Sequence, residues 1–121
     1  MRQFLRSKVH RATITQTELH YEGSLTLDRD LMDAAAMAQF ETIDVVNVNN
    51  GARFTTYVIE GEPGSGIVGL NGAAARLGEP GDLVIIMTYR YEDVPDGGMP
   101  TQPILVMVDE KNQVLSGGSP V

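Results

Sequence analysis

The spacing of apolar and polar residues predicts a β-strand near the start of the chain. KVHRATIT (8–15) is rich in β-branched residues and alternates well enough to form a strand. Side chains on a strand alternate between its two faces. We therefore expect one face of this strand to carry four residues: Lys8, His10, Ala12 and Ile14.

The middle of the chain predicts a β-hairpin. IDVVNV (43–48) and RFTTYVI (53–59) flank the segment NNGA, and Asn-Gly is a strong turn signal between two strands. LVIIMTY (83–89) is continuously apolar, which is typical of a strand buried on both faces. Three further short strands are predicted: LTLD (25–28), IVGL (67–70) and ILVMV (104–108).

Helical signals are few in this sequence. DRDLMDAAAM (28–37) predicts a short helix, because alanine and leucine favour helices and Asp28 or Asp30 can cap its start. GEPGSG (61–66) predicts a loop, and NGAAARLG (71–78) predicts a turn that leads into a single helical turn. Several short strands with little helix indicate a mainly β fold. A small closed barrel is favoured over an open sheet, because a barrel leaves no exposed edge.

Composition narrows the class of protein. The 121 residues suffice for one domain with one core, and 42% of them are hydrophobic and 21% charged. A net charge of −7 argues against a nucleic-acid partner, because phosphate binding needs clustered cations. The chain has no apolar run of membrane-spanning length and no secretory signal, so we expect a cytoplasmic protein without a membrane partner. The absence of cysteine excludes disulfides and thiol nucleophiles.

Familiar motifs are weak in this chain. GSGIVG (64–69) fits the GxGxxG pattern of dinucleotide sites, but it precedes β-branched residues instead of opening a helix, so its glycines are interpreted as turn residues. His10 and His20 are the only histidines and lack zinc-ligand spacing, which predicts no metal site. A hydrolase triad around Ser24 is an alternative, although the sequence has no GxSxG elbow.

Three cations lie in predicted strands of this acidic chain: Lys8, His10 and Arg53. On the inner face of a barrel they would need an anionic partner. That partner is either an internal Asp or Glu or an anionic small substrate, and the residue pattern leaves both open. The Gly-Ser pair in HYEGS (20–24) is by itself ordinary turn chemistry.

Four segments, taken in order, show a resemblance to a known family. KVHRATIT, LHYEGS, NNGARFTTYVI and GSGIVGLNGAAA resemble the aspartate 1-decarboxylases, pyruvoyl-dependent bacterial enzymes that make β-alanine for pantothenate and coenzyme A. The similarity runs in register from about Lys8 to Leu83. The resemblance implies a six-stranded double-psi β-barrel with short helices, a homotetramer with active sites at subunit contacts, and L-aspartate as substrate.

The resemblance also implies self-processing. One decarboxylase domain, residues 1–121, would be cleaved between Gly23 and Ser24 into chains 1–23 and 24–121. The Ser24 hydroxyl attacks the Gly23 carbonyl to give an ester, and elimination leaves dehydroalanine, which hydrolyses to a pyruvoyl group. Gly23 lacks a Cβ, so we expect room for the hydroxyl and an unusual backbone conformation. Whether a helper protein takes part in maturation stays open.

Decarboxylation in this family uses neither pyridoxal phosphate nor a metal. The pyruvoyl carbonyl condenses with the amine of L-aspartate and serves as electron sink when CO2 leaves. Matched position by position, Ser24 becomes the pyruvoyl, Tyr57 donates the proton, and Thr56 acts in cleavage and substrate contact. Thr56 and Tyr57 are adjacent, so both reach one site only through a bulge, an irregular strand or a site between subunits.

The other site residues implied by the resemblance fall into two groups. Lys8 and Arg53 anchor the carboxylates of aspartate, Arg53 through its bidentate fork. The substrate-contact loop and the pocket lining comprise six positions: Gly72, Ala73 and Ala74 for substrate contact, and His10, Tyr21 and Asn71 for the lining. A non-catalytic small-molecule-binding barrel that keeps the scaffold is the alternative from another class.

Overall fold

The computed structural model describes residues 1–115 and 119–120, which form the predicted mainly β fold. No helix among these residues is long and apolar enough to cross a lipid bilayer. The described elements, in chain order, are β1 (Arg2–Thr13), β2 (Gln16–Glu18), β3 (Ser24–Asp28), α1 (Arg29–Ala34), β4 (Thr42–Asn47), β5 (Arg53–Gly61), β6 (Val68–Asn71), a 3₁₀ helix (Gly72–Arg76), β7 (Leu83–Glu92), β8 (Ile104–Met107) and β9 (Ser119–Pro120).

The strands form one sheet in the order β2-β6-β3-β5-β4-β7-β1-β8-β9. Three neighbouring pairs in the described residues are parallel, namely β1 with β8, β2 with β6 and β3 with β5, and the other five are antiparallel. This mixture of directions is in keeping with the expected double-psi β-barrel. The described sheet has nine strands rather than six, but four of the nine are only two to four residues long.

The sheet curves back on itself at the end of β1. The Thr15 N–H donates to the Val68 carbonyl at 2.8 Å, and the Val68 N–H donates to Thr15 Oγ1 at 3.0 Å. The buried Asn112 side chain donates to the carbonyls of Thr13 and Gly66, each at 2.8 Å. Because β1 and β6 are distant in the strand order, these contacts close the gap between them, as a barrel requires.

The predicted hairpin is confirmed as β4 and β5. Its connection spans five residues, 48–52, rather than a two-residue turn. Gly51 adopts a φ of +76°, which glycine accepts without strain. The predicted short helix is also confirmed, and its cap is Asp28, whose carboxylate accepts from the Asp30 N–H at 2.8 Å. The helix ends at Ala34, earlier than residue 37.

The core lies between the inward faces of the strands and α1. Alternate residues of three neighbouring strands fill it, among them Val9, Val45 and Ile86, all fully buried. The prediction that residues 83–89 are buried on both faces is wrong. On β7 only every second side chain is fully buried, because its other face, which includes Met87, is only partly covered.

A bulge in β1 overturns the prediction that Lys8, His10, Ala12 and Ile14 share a face. Val9 pairs with Ile86 and Ala12 with Val84, so two residues of β1 face one of β7. Arg11 adopts a φ of +62° at this bulge. The side chains of Ala12 and Ile14 therefore enter the core, while Lys8 and His10 stay half-buried on the outward face.

The three strand cations consequently do not line the inside of a barrel. Lys8 and His10 lie on the outward face of β1, and Arg53 is exposed at the start of β5. The expectation of inward-facing cations is wrong, because the inner positions of these strands are taken by apolar side chains such as Val9 and Val45.

Candidate active site

Ser24 is a buried serine with a fixed hydroxyl. It is the first residue of β3 and is 1% exposed. The Asn71 side-chain amide donates to Ser24 Oγ at 2.9 Å, and Ser24 Oγ donates to the Glu22 carbonyl at 3.3 Å. The same amide donates to Thr26 Oγ1 at 2.9 Å. The hydroxyl is therefore oriented beside the Gly23 peptide by one side-chain donor and one main-chain acceptor.

Strand pairing explains this arrangement. β3 lies between β6, where Ser24 pairs with Asn71, and β5, where Leu25 pairs with Val58. Extending the parallel β3–β5 register by one residue places Ser24 beside Tyr57. Residues opposite each other in a ladder share a face, so Asn71, Ser24 and Tyr57 converge on the same side of the sheet.

A cavity of about 260 Å³ opens over Ser24 and Tyr57. The Tyr57 ring packs against Phe40, with ring centroids 6.2 Å apart and planes tilted by 58°. Two carboxylates lie at the cavity, and none of the described residues lining it is Lys or Arg. The lining consists of Tyr21, Glu22, Ser24, Gln39, Phe40, Tyr57, Ile59 and Glu60.

A second cavity, of about 490 Å³, adjoins the first and shares Tyr21, Ile59 and Glu60 with it. His20 lines it, and so does the Thr26 residue that shares the Asn71 amide with Ser24. The predicted lining residues Tyr21 and Asn71 therefore belong to the neighbourhood of Ser24. Tyr21 is common to both cavities.

The backbone around the proposed cleavage bond differs from the expectation for Gly23. Its φ lies outside the left-handed region, and a Cβ built on it would have no atom within 4 Å. The unusual conformation belongs instead to Gly72, with a φ of +66°, which packs directly on Gly23. Of the other loop residues, Ala73 is exposed and Ala74 lies in the core.

Thr56 and Tyr57 do face opposite sides of β5. The β4–β5 register runs without a shift from Thr42–Tyr57 to Val46–Arg53, so β5 has no bulge here. Thr56 pairs with the buried Ile43, and no hydrogen bond joins its hydroxyl to Gly23 or Ser24 within residues 1–115. Of these two neighbours, only Tyr57 lines the cavity over Ser24 within one chain.

The predicted substrate anchors lie elsewhere on the sheet. Lys8, Met87, Asp44 and Thr55 form one row across β1, β7, β4 and β5. At about 4.8 Å between neighbouring strands, Lys8 is about 14 Å from Thr55. Lys8 and Arg53 share the outward face with Tyr57, yet neither lines the cavity over Ser24.

Arg53 instead lines a cavity of about 210 Å³ together with Asp44 and Thr55. Thr55 Oγ1 donates to Asp44 at 2.6 Å and the Tyr89 hydroxyl donates to it at 2.8 Å. These two hydrogen bonds lower the pKa of Asp44, and the nearby Arg53 charge acts in the same direction. Burial raises the pKa of Tyr89, and its bond to Asp44 adds to that.

His10 has an unpaired nitrogen among the described residues. Its Nδ1 is buried and has no hydrogen-bond partner there. Burial lowers the pKa of His10, with further contributions from the charges of Lys8 and Arg11. Among the described residues, neither Lys8 nor Arg53 forms an ion pair within 4.0 Å, although the charge of Arg53 acts on Asp44.

Sequence reasoning missed five residues that line the cavity over Ser24, namely Glu22, Gln39, Phe40, Ile59 and Glu60. Phe40 lies in the connection between α1 and β4, where no periodicity marks a side chain as functional. Its φ of +69° is also invisible in the sequence, since phenylalanine is not a residue that signals a left-handed conformation.

Known proteins resemble this chain along nearly its whole length. A family model described as aspartate decarboxylase matches residues 1–115. Two curated relatives, both named aspartate 1-decarboxylase, come from Leptospira biflexa serovar Patoc, one from strain Patoc 1 / Ames and one from strain Patoc 1 / ATCC 23582 / Paris. Each is 59% identical over 108 residues, which cover 89% of this chain and 92% of the relative.

One solved structure is a more distant likeness. It is the rationally designed protein mkDPBB_sym_86, with a TM-score of 0.48 and 17% sequence identity. The match covers 64% of this chain and 90% of the designed one.

Proposed function

The chain belongs to the aspartate decarboxylase family, and we propose that it converts L-aspartate to β-alanine and CO2 after cleaving itself between Gly23 and Ser24. The reaction supplies β-alanine for pantothenate and coenzyme A, and we expect the enzyme to work in the cytoplasm. The environment of the Ser24 hydroxyl carries the self-processing part of this proposal. The Ser24 side chain is buried, and its hydroxyl is oriented by Asn71 and lies next to the Gly23 peptide.

Self-cleavage uses the Ser24 hydroxyl as nucleophile. Oγ bonds to the Gly23 carbonyl carbon while the peptide C–N bond breaks, and the freed Ser24 amine takes up the hydroxyl proton. Loss of the Ser24 Cα proton then expels the Gly23 carboxylate and leaves dehydroalanine. Water adds and ammonia leaves, which gives a pyruvoyl group at the start of chain 24–121. The donor from Asn71 holds Oγ in place for the first step.

The position of residue 24 fits a pyruvoyl group. It faces the cavity of about 260 Å³, and the Asn71 amide that now binds Oγ is a donor suited to a carbonyl oxygen at the same place. A pyruvoyl group there would take up the electron pair that stays on the substrate when the carboxylate leaves as CO2.

Tyr57 holds the proton that the α-carbon of the substrate receives once CO2 has left. It stands beside residue 24 in the strand register, and its phenol is half-buried against Phe40. Tyr21 is the other phenol at the cavity, but it is 55% exposed and therefore stands in a wetter environment. A positioned phenol in a drier site is the better general acid.

The active site is completed by a second copy of the chain. Aspartate brings two carboxylates, whereas the cavity over Ser24 already contains Glu22 and Glu60 and has no Lys or Arg among the described residues lining it. Buried charges need partners of opposite sign.

Lys8 and Arg53 lie on the outward face with half-buried apolar residues such as Met87, which suits a contact between copies. We therefore place the site at subunit contacts of a homotetramer, with Thr56, Gly72, Ala73, Ala74 and His10 as further contributors.

Intact-mass analysis combined with an assay for β-alanine tests the proposal. Purified wild-type protein should yield fragments 1–23 and 24–121 and should release CO2 from L-aspartate, whereas Ser24→Ala should stay as one chain and be inactive. The chain contains an internal control, since Gly64 also precedes a serine, but this serine, Ser65, is exposed whereas Ser24 is buried. Cleavage at Gly64–Ser65, or β-alanine production by an uncleaved chain, would contradict the mechanism.

A further inference from the structure

Phe40 is an exposed aromatic residue in a strained backbone conformation. Its φ is +69°, in the left-handed region that disfavours residues with a bulky side chain. The residue is 67% exposed, so burial of its ring does little to offset that strain. Strained residues persist only where the surrounding structure fixes them, and they cluster at functional sites. Fold stability therefore does not explain why a phenylalanine occupies position 40.

Hydrogen bonds fix the backbone that carries Phe40. The Phe40 N–H donates to the Val58 carbonyl at 2.8 Å, and the Val58 N–H donates to the Glu41 carbonyl at 3.0 Å. The Glu41 carboxylate accepts from the Ala38 N–H at 3.0 Å and pairs with Arg6. Phe40 and Glu41 are thus held against β5 at Val58, the residue that follows Tyr57.

The ring of Phe40 points toward the proposed acid. It packs on the Tyr57 ring with centroids 6.2 Å apart and planes tilted by 58°, a geometry that aromatic pairs prefer. Both rings line the cavity over Ser24. Phe40 has no titratable group, so it acts on the reaction only by limiting where the Tyr57 phenol can point and how much water reaches it.

We propose that Phe40 is a positioning residue for the decarboxylation step, holding the Tyr57 phenol over residue 24. This inference rests on the proposed role of Tyr57 and adds a residue to it. The strain at position 40 is then a cost to stability that the site retains for catalysis. Removing the ring and relieving the strain should accordingly move stability and turnover in opposite directions.

Phe40→Gly is the informative variant, because glycine adopts a positive φ freely. Ala36→Gly is its matched control, since Ala36 is exposed, has a φ of +57° and does not line the cavity. Phe40→Tyr keeps the ring. If Phe40→Gly fails to fold, Phe40→Asn takes its place, because asparagine is among the residues that tolerate this conformation best.

Three quantities are measured for each purified variant: the extent of cleavage by intact mass, kcat and KM for L-aspartate, and Tm. We expect Phe40→Gly to cleave like wild type and, like Ala36→Gly, to keep or raise Tm. Its kcat should fall by about three- to tenfold with KM unchanged, a loss of the size expected for one aromatic pair. Phe40→Tyr and Ala36→Gly should keep the wild-type kcat.

A double-mutant cycle with Tyr57→Phe shows whether Phe40 acts through Tyr57. In the Tyr57→Phe background, Phe40→Gly should cause no further loss of kcat. A wild-type kcat for Phe40→Gly, or an equal loss in both backgrounds, would overturn the inference. Failure of the proposed function looks different, because Tyr57→Phe itself would then turn over like wild type or the wild-type chain would stay uncleaved.

Discussion

Gly72 lies directly on the backbone of Gly23. A Cβ built on Gly72 would stand 2.8 Å from both the nitrogen and the Cα of Gly23, and 2.8 Å from the Tyr21 carbonyl oxygen. Real Cβ atoms do not approach other heavy atoms so closely, so any larger residue at position 72 must push this segment away. The start of the 3₁₀ helix therefore sets where the Gly23 carbonyl lies relative to the Ser24 hydroxyl.

Gly72→Ala should consequently impair self-cleavage. Misplacing the reacting carbonyl costs orientation, and we expect the rate of cleavage to fall by at least about tenfold. The measurement is the fraction of intact chain by mass spectrometry over time at constant temperature. Cleavage of Gly72→Ala at the wild-type rate would mean that this contact does not position the bond.

The control for this prediction is Gly51→Ala. Gly51 has a similar φ of +76°, but a Cβ on it would have no atom within 4 Å. It therefore imposes the same kind of backbone strain, of order 1–3 kcal/mol, without touching Gly23. Gly51→Ala should lower Tm and still cleave at the wild-type rate. Equal slowing in both variants would attribute the effect to general destabilisation.

The chemistry of decarboxylation should be separable from self-cleavage at Tyr57. Tyr57→Phe keeps the ring and its packing on Phe40 but removes the hydroxyl, so cleavage should proceed while kcat falls by about a hundredfold or more. Tyr91→Phe is the control, since Tyr91 is 64% exposed and does not line the Ser24 cavity. A Tyr57→Phe enzyme with wild-type kcat would assign the proton to another group, with Tyr21 or His10 as the next candidates.

Local signals in the sequence predicted much of this fold. The β4–β5 hairpin follows from β-branched runs around an Asn-Gly pair, and the start of α1 follows from Asp28 as an N-cap. Such features depend on residues next to each other in the chain. Ser24 could be singled out for a similar reason, because the resemblance rests on short motifs in order.

Features that depend on tertiary pairing could not be predicted in this way. The bulge in β1 places Arg11 at a φ of +62°, and nothing about arginine signals that conformation. Strand alternation alone therefore places Lys8 and Ala12 on the same face, which the bulge prevents. The position of Phe40 over Tyr57 also depends on pairing, through the hydrogen bonds between the loop and Val58. Alternation along a strand predicts which side chains share a face. Only the pairing register with the neighbouring strands shows which residues that face contacts.

Asp44 should make the stability of the protein depend on pH in the acid range. Its pKa in the folded protein is lowered by hydrogen bonds from Thr55 and Tyr89 and by the charge of Arg53. A lowered folded pKa means that the ionised carboxylate stabilises the fold above the pKa of the unfolded chain. That contribution is lost as the pH falls through the folded pKa.

Tm measured between about pH 5 and pH 3 checks this prediction. Wild type should lose Tm more steeply than Asp44→Asn, whose side chain cannot titrate. Thr55→Val removes one of the two hydroxyl donors and should give an intermediate slope. Parallel curves for all three proteins would show that Asp44 does not contribute to acid sensitivity.

Arg53 should matter for substrate turnover although it lies outside the cavity over Ser24. If it pairs with a carboxylate of aspartate, Arg53→Ala should raise the barrier in kcat/KM by roughly 2–4 kcal/mol, because a desolvated anion loses its charged partner. Self-cleavage should be unaffected, since Arg53 is not in contact with Gly23 or Ser24. A wild-type kcat/KM for Arg53→Ala would contradict a contact between Arg53 and the substrate, and Arg53 would then act only as a charge beside Asp44.

Mixing two inactive chains tests where Arg53 acts. Arg53 and Tyr57 lie four residues apart on β5, about 13 Å at 3.3 Å per residue, and they line different cavities. A site that takes Tyr57 from one chain and Arg53 from another should therefore reappear when Arg53→Ala and Tyr57→Phe chains are co-expressed. Random assembly in equal amounts would restore both residues at about a quarter of the sites, since each comes from its intact parent half of the time. Co-assembled protein no more active than the separate variants would place both residues in one chain and remove the case for a site between subunits.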